Sequence, residues 1–280
     1  MKLFQEIFND IPYVLREIVN VDNKTSECDV YVYPKDVEKI EGNLKSIPNK
    51  VYKVKNFLTP KNQHQYIVEQ NGKYVILDLH AYLPLHRKVW LADFEALDEI
   101  IKNGKFKDDN IRWINSDDFN TLKLVKAILY LKFPKNKKHK KELENEILEL
   151  FKNYTYRKLV DILPVKKNYI SEVVENIKAK KNYDDILEKI KNPPIFDLQL
   201  KWFLLKKRFI YPFLTKPKWL KTNNCEQFNE IKGFNIIQTK KKDLKYFIRG
   251  FTGISVYCGN EQNFKNIYKE IFDKYTKEIK

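Results

Sequence analysis

The stretch SECDVYV at residues 26–32 predicts a β-strand, because acidic and apolar side chains alternate along it. In a β-strand, successive side chains point to opposite faces of the sheet. Glu27 and Asp29 therefore share one face, whereas Cys28 and Val30 share the other. The apolar face predicts packing on a core, with Cys28 as a packing residue. The acidic face places two carboxylates about 7 Å apart, near enough to bind divalent cations together.

A second strand-like run, KYVILDLH at residues 73–80, carries a third acid. By the same alternation, Asp78 and His80 face one way, whereas Leu77 and Leu79 face the other. A carboxylate within such an apolar strand is costly to bury unless it is paired or binds a metal ion. Acids on two neighbouring strands are typical of two-metal sites for phosphoryl or nucleotidyl transfer, which use hard cations with oxygen ligands.

The first 115 residues mix helices and strands. Asn71-Gly72, between two strand-like runs, is a strong sequence signal for a β-hairpin. The spacing of apolar residues predicts the other elements: helices at 3–9, 34–47 and 92–102, and strands at 13–21, 51–58 and 64–70. We therefore predict an α+β fold in which residues 1–115 form a mixed-sheet α/β domain.

The remainder of the chain predicts a helical domain at residues 116–215 and a small basic α+β element at residues 216–280. The first helix starts with acids at 117–118, which favour a helix N-terminus, and a basic loop at 134–141 follows it. Further segments have the spacing of long elements: an aromatic, basic helix at 196–214, strands at 233–239 and 253–258, and a closing helix at 263–279.

The excess of positive charge lies entirely in the C-terminal part of the chain. Residues 1–120 sum to −2 and residues 121–280 to +18, which together give the net charge of +16. This asymmetry favours a partner that is a nucleic acid or another polyanion, or an anionic membrane surface. The basic aromatic stretches at 201–209 and 216–221 agree with either partner. The alternative is a lysine-rich surface that is simply solvated.

Composition limits the class of protein. With 43% hydrophobic and 14% aromatic residues, the chain is too apolar to be disordered. Its three cysteines show no CxxC spacing, which favours a reducing compartment. The N-terminus lacks the features of a signal peptide, and no apolar run approaches the roughly 20 residues of a transmembrane helix. We expect a cytoplasmic protein without a transmembrane segment, and the sequence leaves the oligomeric state open.

These motifs, taken in order, resemble the DNA polymerase beta-like nucleotidyltransferase superfamily. That superfamily carries a Ser-Asp-hydrophobic-Asp strand and a later strand Asp, and here the matching stretches are 26–30 and 77–80. The closer resemblance is to a branch found in polysaccharide gene clusters, sometimes fused to a thymidylate-kinase-like domain. Its motifs match YVLR at 13–16, PKD at 34–36 and LDLH at 77–80, and the resemblance covers residues 10–135.

The resemblance implies a metal-dependent nucleotidyltransferase, a phosphorus-group transferase that moves a nucleoside monophosphate from an NTP such as ATP to a hydroxyl or phosphate acceptor. It implies that Glu27, Asp29 and Asp78 bind two Mg²⁺ or Mn²⁺ ions. Asp78 would also help to deprotonate the acceptor. Residues that would contact the nucleotide phosphates are Ser26, Arg16, and Arg87 or Lys88.

Two departures from the family pattern leave alternatives open. Glu27 stands where the family has Asp, and the family's Gly-Ser turn is not evident before the acidic strand. The first alternative is a catalytically impaired nucleotidyltransferase fold that binds nucleic acid through residues 121–280. The second is a peripheral membrane protein of polysaccharide assembly.

Two further features of the sequence are weaker signals of function: the spacing of residues 259–266 and His80. Residues 259–266 have the spacing of a GxxxxGK[ST] phosphate-binding loop, but Phe264 and Asn266 replace the second Gly and the Ser/Thr. We interpret that match as coincidence, although a decayed remnant of a fused kinase is the alternative. His80, beside Asp78, has two interpretations: a metal or phosphate contact, or a hydrogen-bonded structural histidine.

Overall fold

The structure is a computed structural model, and it has the mixed α+β architecture that the sequence predicts, with helices and a mixed sheet. It describes residues 2–20, 25–54, 62–70, 73–86, 90–91, 94–107, 111–132, 134, 136–190, 202, 205, 218–222, 236–239, 254–258 and 276–279. The stretch 259–266, whose spacing resembles a phosphate-binding loop, and the candidate residues Arg87 and Lys88 lie outside these ranges. So does the predicted aromatic helix at 196–214, apart from residues 202 and 205.

Thirteen strands lie within the described ranges. In chain order they are β1 Tyr13–Asn20, β2 Thr25–Val32, β3 Lys50–Val54, β4 Gln63–Gln70, β5 Lys73–His80, β6 Pro84–His86, β7 Trp90–Leu91, β8 Lys105–Phe106, β9 Arg112–Trp113, β10 Lys218–Thr222, β11 Ile236–Thr239, β12 Ile254–Cys258 and β13 Thr276–Glu278. The strands predicted from the two acidic runs, β2 and β5, are both present.

The largest sheet has eight strands in the order β13-β3-β4-β5-β2-β1-β9-β8. It is mixed, because β1 pairs with β9 in parallel, whereas β3 pairs with β4 and β8 with β9 in antiparallel fashion. Strands β4 and β5 are neighbours separated by two residues, as the predicted Asn-Gly hairpin requires. The two acid-bearing strands, β5 and β2, lie side by side in the middle of this sheet.

Eight α-helices are described. They are α1 Lys2–Ile7, α2 Val37–Ser46, α3 Phe94–Asn103, α4 Ser116–Leu131, α5 Lys137–Lys152, α6 Leu159–Ile162, α7 Lys167–Lys178 and α8 Asp184–Lys189, and a 3₁₀ turn at Pro34–Asp36 leads into α2. The side chain of Asn115 caps α4 by accepting a hydrogen bond of 3.0 Å from the backbone N–H of Asp117. None of the described helices is long and apolar enough to cross a bilayer.

Two predictions about local structure are wrong. The basic loop at 134–141 is largely the first turn of α5, because Asn136 caps the helix by accepting a hydrogen bond of 2.8 Å from the N–H of His139. The closing helix at 263–279 does not extend over its last residues. Thr276–Glu278 form strand β13, antiparallel to β3, because β3 offers an edge with unpaired backbone groups.

The chain divides into two compact units, and the divisions within the described residues fall inside β1, β2, α2 and β5. One unit comprises Met1–Glu17, Asp29–Asn43 and Leu79–Asp197, and the other comprises Ile18–Cys28, Leu44–Asp78 and Leu198–Lys280. The core of the first unit is built from apolar side chains of its helices, with less than a tenth of each exposed, among them Leu97, Ile100, Val125, Ile128, Ile147 and Val173. The predicted domain boundaries after residues 115 and 215 stay predictions.

The C-terminal strands that were expected at 233–239 and 253–258 are present as β11 and β12. With β10 they form a three-stranded sheet in the order β10-β12-β11, and both pairings are parallel. Strand β10 was not expected, because Lys218–Thr222 overlaps a stretch that stood out only for its basic and aromatic residues. The short run Lys218-Trp219-Leu220-Lys221 has no strict alternation of polar and apolar residues, so its spacing did not indicate a strand.

Candidate metal centre

Three side chains from the neighbouring strands β2 and β5 converge on one point. Asp29, Asp78 and His80 each offer one ligand atom, and these atoms all lie within 4.8 Å of one another. Each of the three residues is 7% exposed. The two carboxylates and the imidazole therefore form a nearly buried cluster of potential metal ligands.

The strand alternation explains why these residues meet. Cys28 and Leu77, which precede Asp29 and Asp78, are 2% and 0% exposed and anchor their strands in the protein interior. The next residue in each strand must then point to the opposite side. His80 follows Asp78 by two residues and so returns to the same face. The sequence pattern predicted that Asp29 and Asp78 come together, and the structure brings them together.

Asp29 is oriented by a guanidinium. Arg16 on β1 donates a hydrogen bond of 2.9 Å from Nη1 to Oδ2 of Asp29, and its Nη2 lies 3.2 Å from Oε1 of Glu17. The other oxygen of Asp29, Oδ1, lies 3.6 Å from Nε2 of His80. One oxygen of Asp29 thus faces Arg16 and the other faces the cluster.

Asp78 is oriented by an amide. Gln63, the first residue of β4, donates from Nε2 to both carboxylate oxygens of Asp78 at 2.8 Å. Gln63 was not among the candidate residues, although the register of the predicted hairpin places position 63 near position 78. A hairpin with a two-residue turn at 71–72 pairs position 65 with position 78. Position 63 lies two residues from position 65 on the same strand, so it is the diagonal neighbour of position 78 on the same face of the sheet.

His80 lies against two tyrosine rings. Its ring centre is 5.9 Å from that of Tyr31 on β2 and 5.9 Å from that of Tyr82. Tyr31 is buried, which raises its pKa to about 12, so the phenol is neutral throughout the physiological range. These aromatic neighbours favour a fixed orientation of the imidazole beside Asp29.

The remaining candidates from the sequence lie in different places. Glu27 is 2% exposed on β2, but its carboxylate is not one of the three groups that converge, so its role as a metal ligand stays a prediction. Ser26 donates a hydrogen bond of 3.0 Å from Oγ to Oδ1 of Asn20. Its proposed contact with the nucleotide also stays a prediction.

A small cleft adjoins Asp29 through Arg16. Its polar and charged lining comes from Arg16, Tyr31, Lys123 and Lys126, and the apolar lining consists of Leu83, Pro84, Leu85, Phe119 and Leu122. Lys123, Lys126 and Phe119 belong to α4, where residues three, four and seven positions apart share a face. The ammonium of Lys123 lies 4.3 Å from the ring centre of Phe119. The cleft therefore combines cations with an aromatic surface.

The donor set of the cluster suits a single divalent cation. Ligand atoms about 2.1 Å from a shared ion lie about 3.0 Å apart at a right angle and about 3.4 Å apart at a tetrahedral angle. The separation of 3.6 Å between Nε2 of His80 and Oδ1 of Asp29 is close to these values. It is too long for a good hydrogen bond. Small side-chain movements would bring Asp29, Asp78 and His80 to coordination distance.

Comparisons with known proteins returned no match: no family model, no curated protein and no solved structure is detectably similar to this chain. The function must therefore be inferred from the fold and from the site itself.

Proposed function

We propose that the protein is a metal-dependent nucleotidyltransferase, which moves a nucleoside monophosphate from an NTP to a hydroxyl or phosphate acceptor. The observation that carries this proposal is the convergence of Asp29, Asp78 and His80 on neighbouring strands of a mixed sheet. The ordered motifs that resemble the polymerase beta-like superfamily support it. In this proposal, residues 1–115 are the catalytic domain and α4 is the helix that follows the catalytic sheet.

Asp29 and Asp78, with His80, would hold the divalent cation. The cation would polarise the α-phosphate and neutralise charge on the pyrophosphate that leaves. In the reaction, a bond forms between the acceptor oxygen and the α-phosphorus, and the bond from that phosphorus to the β-phosphate oxygen breaks. The proton of a hydroxyl acceptor would pass to Asp78, which is the role that the resemblance to the superfamily implies for this residue.

The cleft beside Asp29 supplies groups that suit the triphosphate. Arg16 presents a planar fork of donors, and Lys123 and Lys126 add two ammonium groups from α4. Phe119 offers an aromatic face against which a base can stack. This arrangement favours a nucleotide that enters with its phosphates toward Arg16 and the carboxylates.

The test is transfer of labelled nucleotide from each of the four NTPs to RNA, sugar phosphates or protein, with Mg²⁺ or Mn²⁺. We expect wild-type transfer to depend on the metal, and Asp29→Asn or Asp78→Asn to lower it by at least about 100-fold while the chain stays folded. Asp185→Asn makes the same chemical change at an exposed position of α8 and serves as the matched control.

Two results would contradict the proposal. The first is turnover in Asp29→Asn that equals that of the wild type, because a metal ligand cannot be dispensable. The second is the absence of transfer with every nucleotide and acceptor class, together with no further change in thermal stability when NTP is added to the metal-loaded protein. That second result favours the non-catalytic alternatives.

A second candidate function is binding of a polyanion such as RNA or DNA through residues 121–280. It is favoured by the charge of +18 on this part of the chain. The chain of 280 residues should then bind single- or double-stranded nucleic acid with an affinity that falls steeply from low to physiological salt. Binding that does not respond to salt, or no binding, contradicts this candidate. Sedimentation with anionic liposomes would instead favour the peripheral membrane alternative.

A further inference from the structure

We propose that the cluster of Asp29, Asp78 and His80 is a transition-metal site, which selects a first-row dication such as Mn²⁺ or Co²⁺ over Mg²⁺. This inference deepens the proposed function, because it names the cation of the same site. It rests on the ligand types and the geometry of the cluster, and its test does not require turnover.

The imidazole is the reason for the selectivity. Mg²⁺ prefers oxygen ligands in a strict octahedron and retains several water molecules. First-row transition dications accept imidazole nitrogen readily, and their affinity for a mixed nitrogen and oxygen site rises from Mn²⁺ to Co²⁺. Nε2 of His80 lies 3.6 Å from Oδ1 of Asp29 in a nearly buried site. A cation bound there by Asp29 and Asp78 would contact the imidazole as well.

The groups around the cluster orient its carboxylates for metal binding. Arg16 holds Oδ2 of Asp29 at 2.9 Å and leaves Oδ1 directed toward His80. Gln63 holds the carboxylate of Asp78 at 2.8 Å. Each carboxylate oxygen has two lone pairs, so a carboxylate can accept these hydrogen bonds and still ligate a cation. Outer partners of this kind fix ligand orientation and raise metal affinity.

The experiment measures metal binding by the full chain directly. Isothermal titration should give Mn²⁺ a dissociation constant at least about 10-fold below that of Mg²⁺, and Co²⁺ a lower one still. Pulsed electron paramagnetic resonance of the Mn²⁺-loaded wild type should show a directly coordinated nitrogen. In His80→Asn that signal should disappear, and the preference for Mn²⁺ over Mg²⁺ should fall to less than about threefold, because the nitrogen ligand is gone.

His139→Asn removes another imidazole, on α5, and is the matched control, which should bind Mn²⁺ as the wild type does. The wild-type spectrum alone decides the case if His80→Asn fails to fold. Mn²⁺ bound without a coordinated nitrogen, equal affinity for Mg²⁺ and Mn²⁺, or no binding of either cation overturns the inference. A coordinated nitrogen in a chain that transfers no nucleotide would leave this inference standing and refute the proposed function.

Discussion

Two buried acidic sites in this protein are built from similar partners and differ in one respect. Asp118 in α4 is 0% exposed, accepts a hydrogen bond of 3.2 Å from the amide of Asn103 and lies 3.6 Å from Nε of Arg157. Asp29 and Asp78 likewise have a guanidinium and an amide, from Arg16 and Gln63. In each site, one arginine and one side-chain amide thus contact buried carboxylate oxygens.

The difference is the number of ligand groups that converge. Asp118 lies in the first turn of a helix, where the helix dipole also favours a negative charge. It shares Asn103 with Glu99 and Arg157 with Asp117, but no set of three ligand groups is found together there among the described residues. At the sheet site, a second carboxylate and an imidazole point at the same position. Lone pairs that converge in a nearly buried place favour a cation between them. A buried acid alone therefore indicates structure, whereas the converging set indicates a ligand.

The melting temperature in the presence of Mn²⁺ should differ most between the two sites. Mn²⁺ should raise the melting temperature of the wild type, because the cation binds the folded state. Asp29→Asn and Asp78→Asn should abolish that shift, since each removes a charged ligand, whereas Asp118→Asn should retain it. Differential scanning fluorimetry with and without Mn²⁺ measures all three. If Asp118→Asn also abolished the increase in melting temperature, Mn²⁺ binding would depend on Asp118 as well as on Asp29 and Asp78.

The side-chain amides of Gln63 and Asn103 should affect different properties, although each donates a hydrogen bond to a buried carboxylate. Gln63→Leu should weaken Mn²⁺ binding by about 10-fold, since it releases the orientation of Asp78. Asn103→Leu should leave Mn²⁺ binding unchanged and lower the free energy of unfolding by about 1–3 kcal/mol, because it leaves Asp118 with one donor fewer. Titration calorimetry and urea unfolding on both variants test the pair. An effect of Gln63→Leu on stability alone would assign Gln63 a purely structural role.

A smaller effect appears in the pH dependence of stability. Burial raises the pKa of Asp118 above its ordinary 3.8, although Asn103 and Arg157 act in the opposite direction. Between the ordinary and the raised pKa, the folded state therefore binds more protons than the unfolded state. The free energy of unfolding contributed by Asp118 must then fall as pH rises through this window.

Urea unfolding at a series of pH values from 4 upward, on wild type and Asp118→Asn, isolates this contribution. The wild-type value minus the variant value should decrease as pH rises through the folded pKa and then level off. A difference that increases with pH would show that the arginine and the amide outweigh the burial of Asp118.

Local sequence patterns predicted the site because strand alternation is a local rule. The strands at 26–32 and 73–80, the hairpin between 70 and 73 and the helix after residue 116 all follow from spacing within one element. The proximity of Asp29 to Asp78 required one more assumption, that the two strands are neighbours. The resemblance to a known family supplied that assumption.

Tertiary partners were harder to predict. Strand β13 forms by pairing with the edge of β3, which is more than 200 residues earlier in the chain. The helical spacing of apolar residues around 276–278 could not predict such a distant pairing. The expected contact of Arg16 with a triphosphate stays a prediction. Its hydrogen bond to Asp29 was not expected, because that contact depends on the pairing of β1 with β2. Gln63 and Lys123 became candidates only when the structure placed their side chains beside the site.

The change expected at Glu27 is the smallest, because Glu27 is a fourth buried acid that belongs neither to the converging set nor to the surroundings of Asp118. Glu27→Asp restores the residue of the family pattern and shortens the side chain by one methylene, which costs about 1 kcal/mol of stability. If Glu27 is outside the Mn²⁺ site, the dissociation constant for Mn²⁺ should change by less than about threefold. If the resemblance holds at this position, nucleotide transfer should be retained or rise. A loss of Mn²⁺ affinity of 10-fold or more would instead make Glu27 a ligand in the metal-bound protein, and Glu27→Gln should then show a loss at least as large.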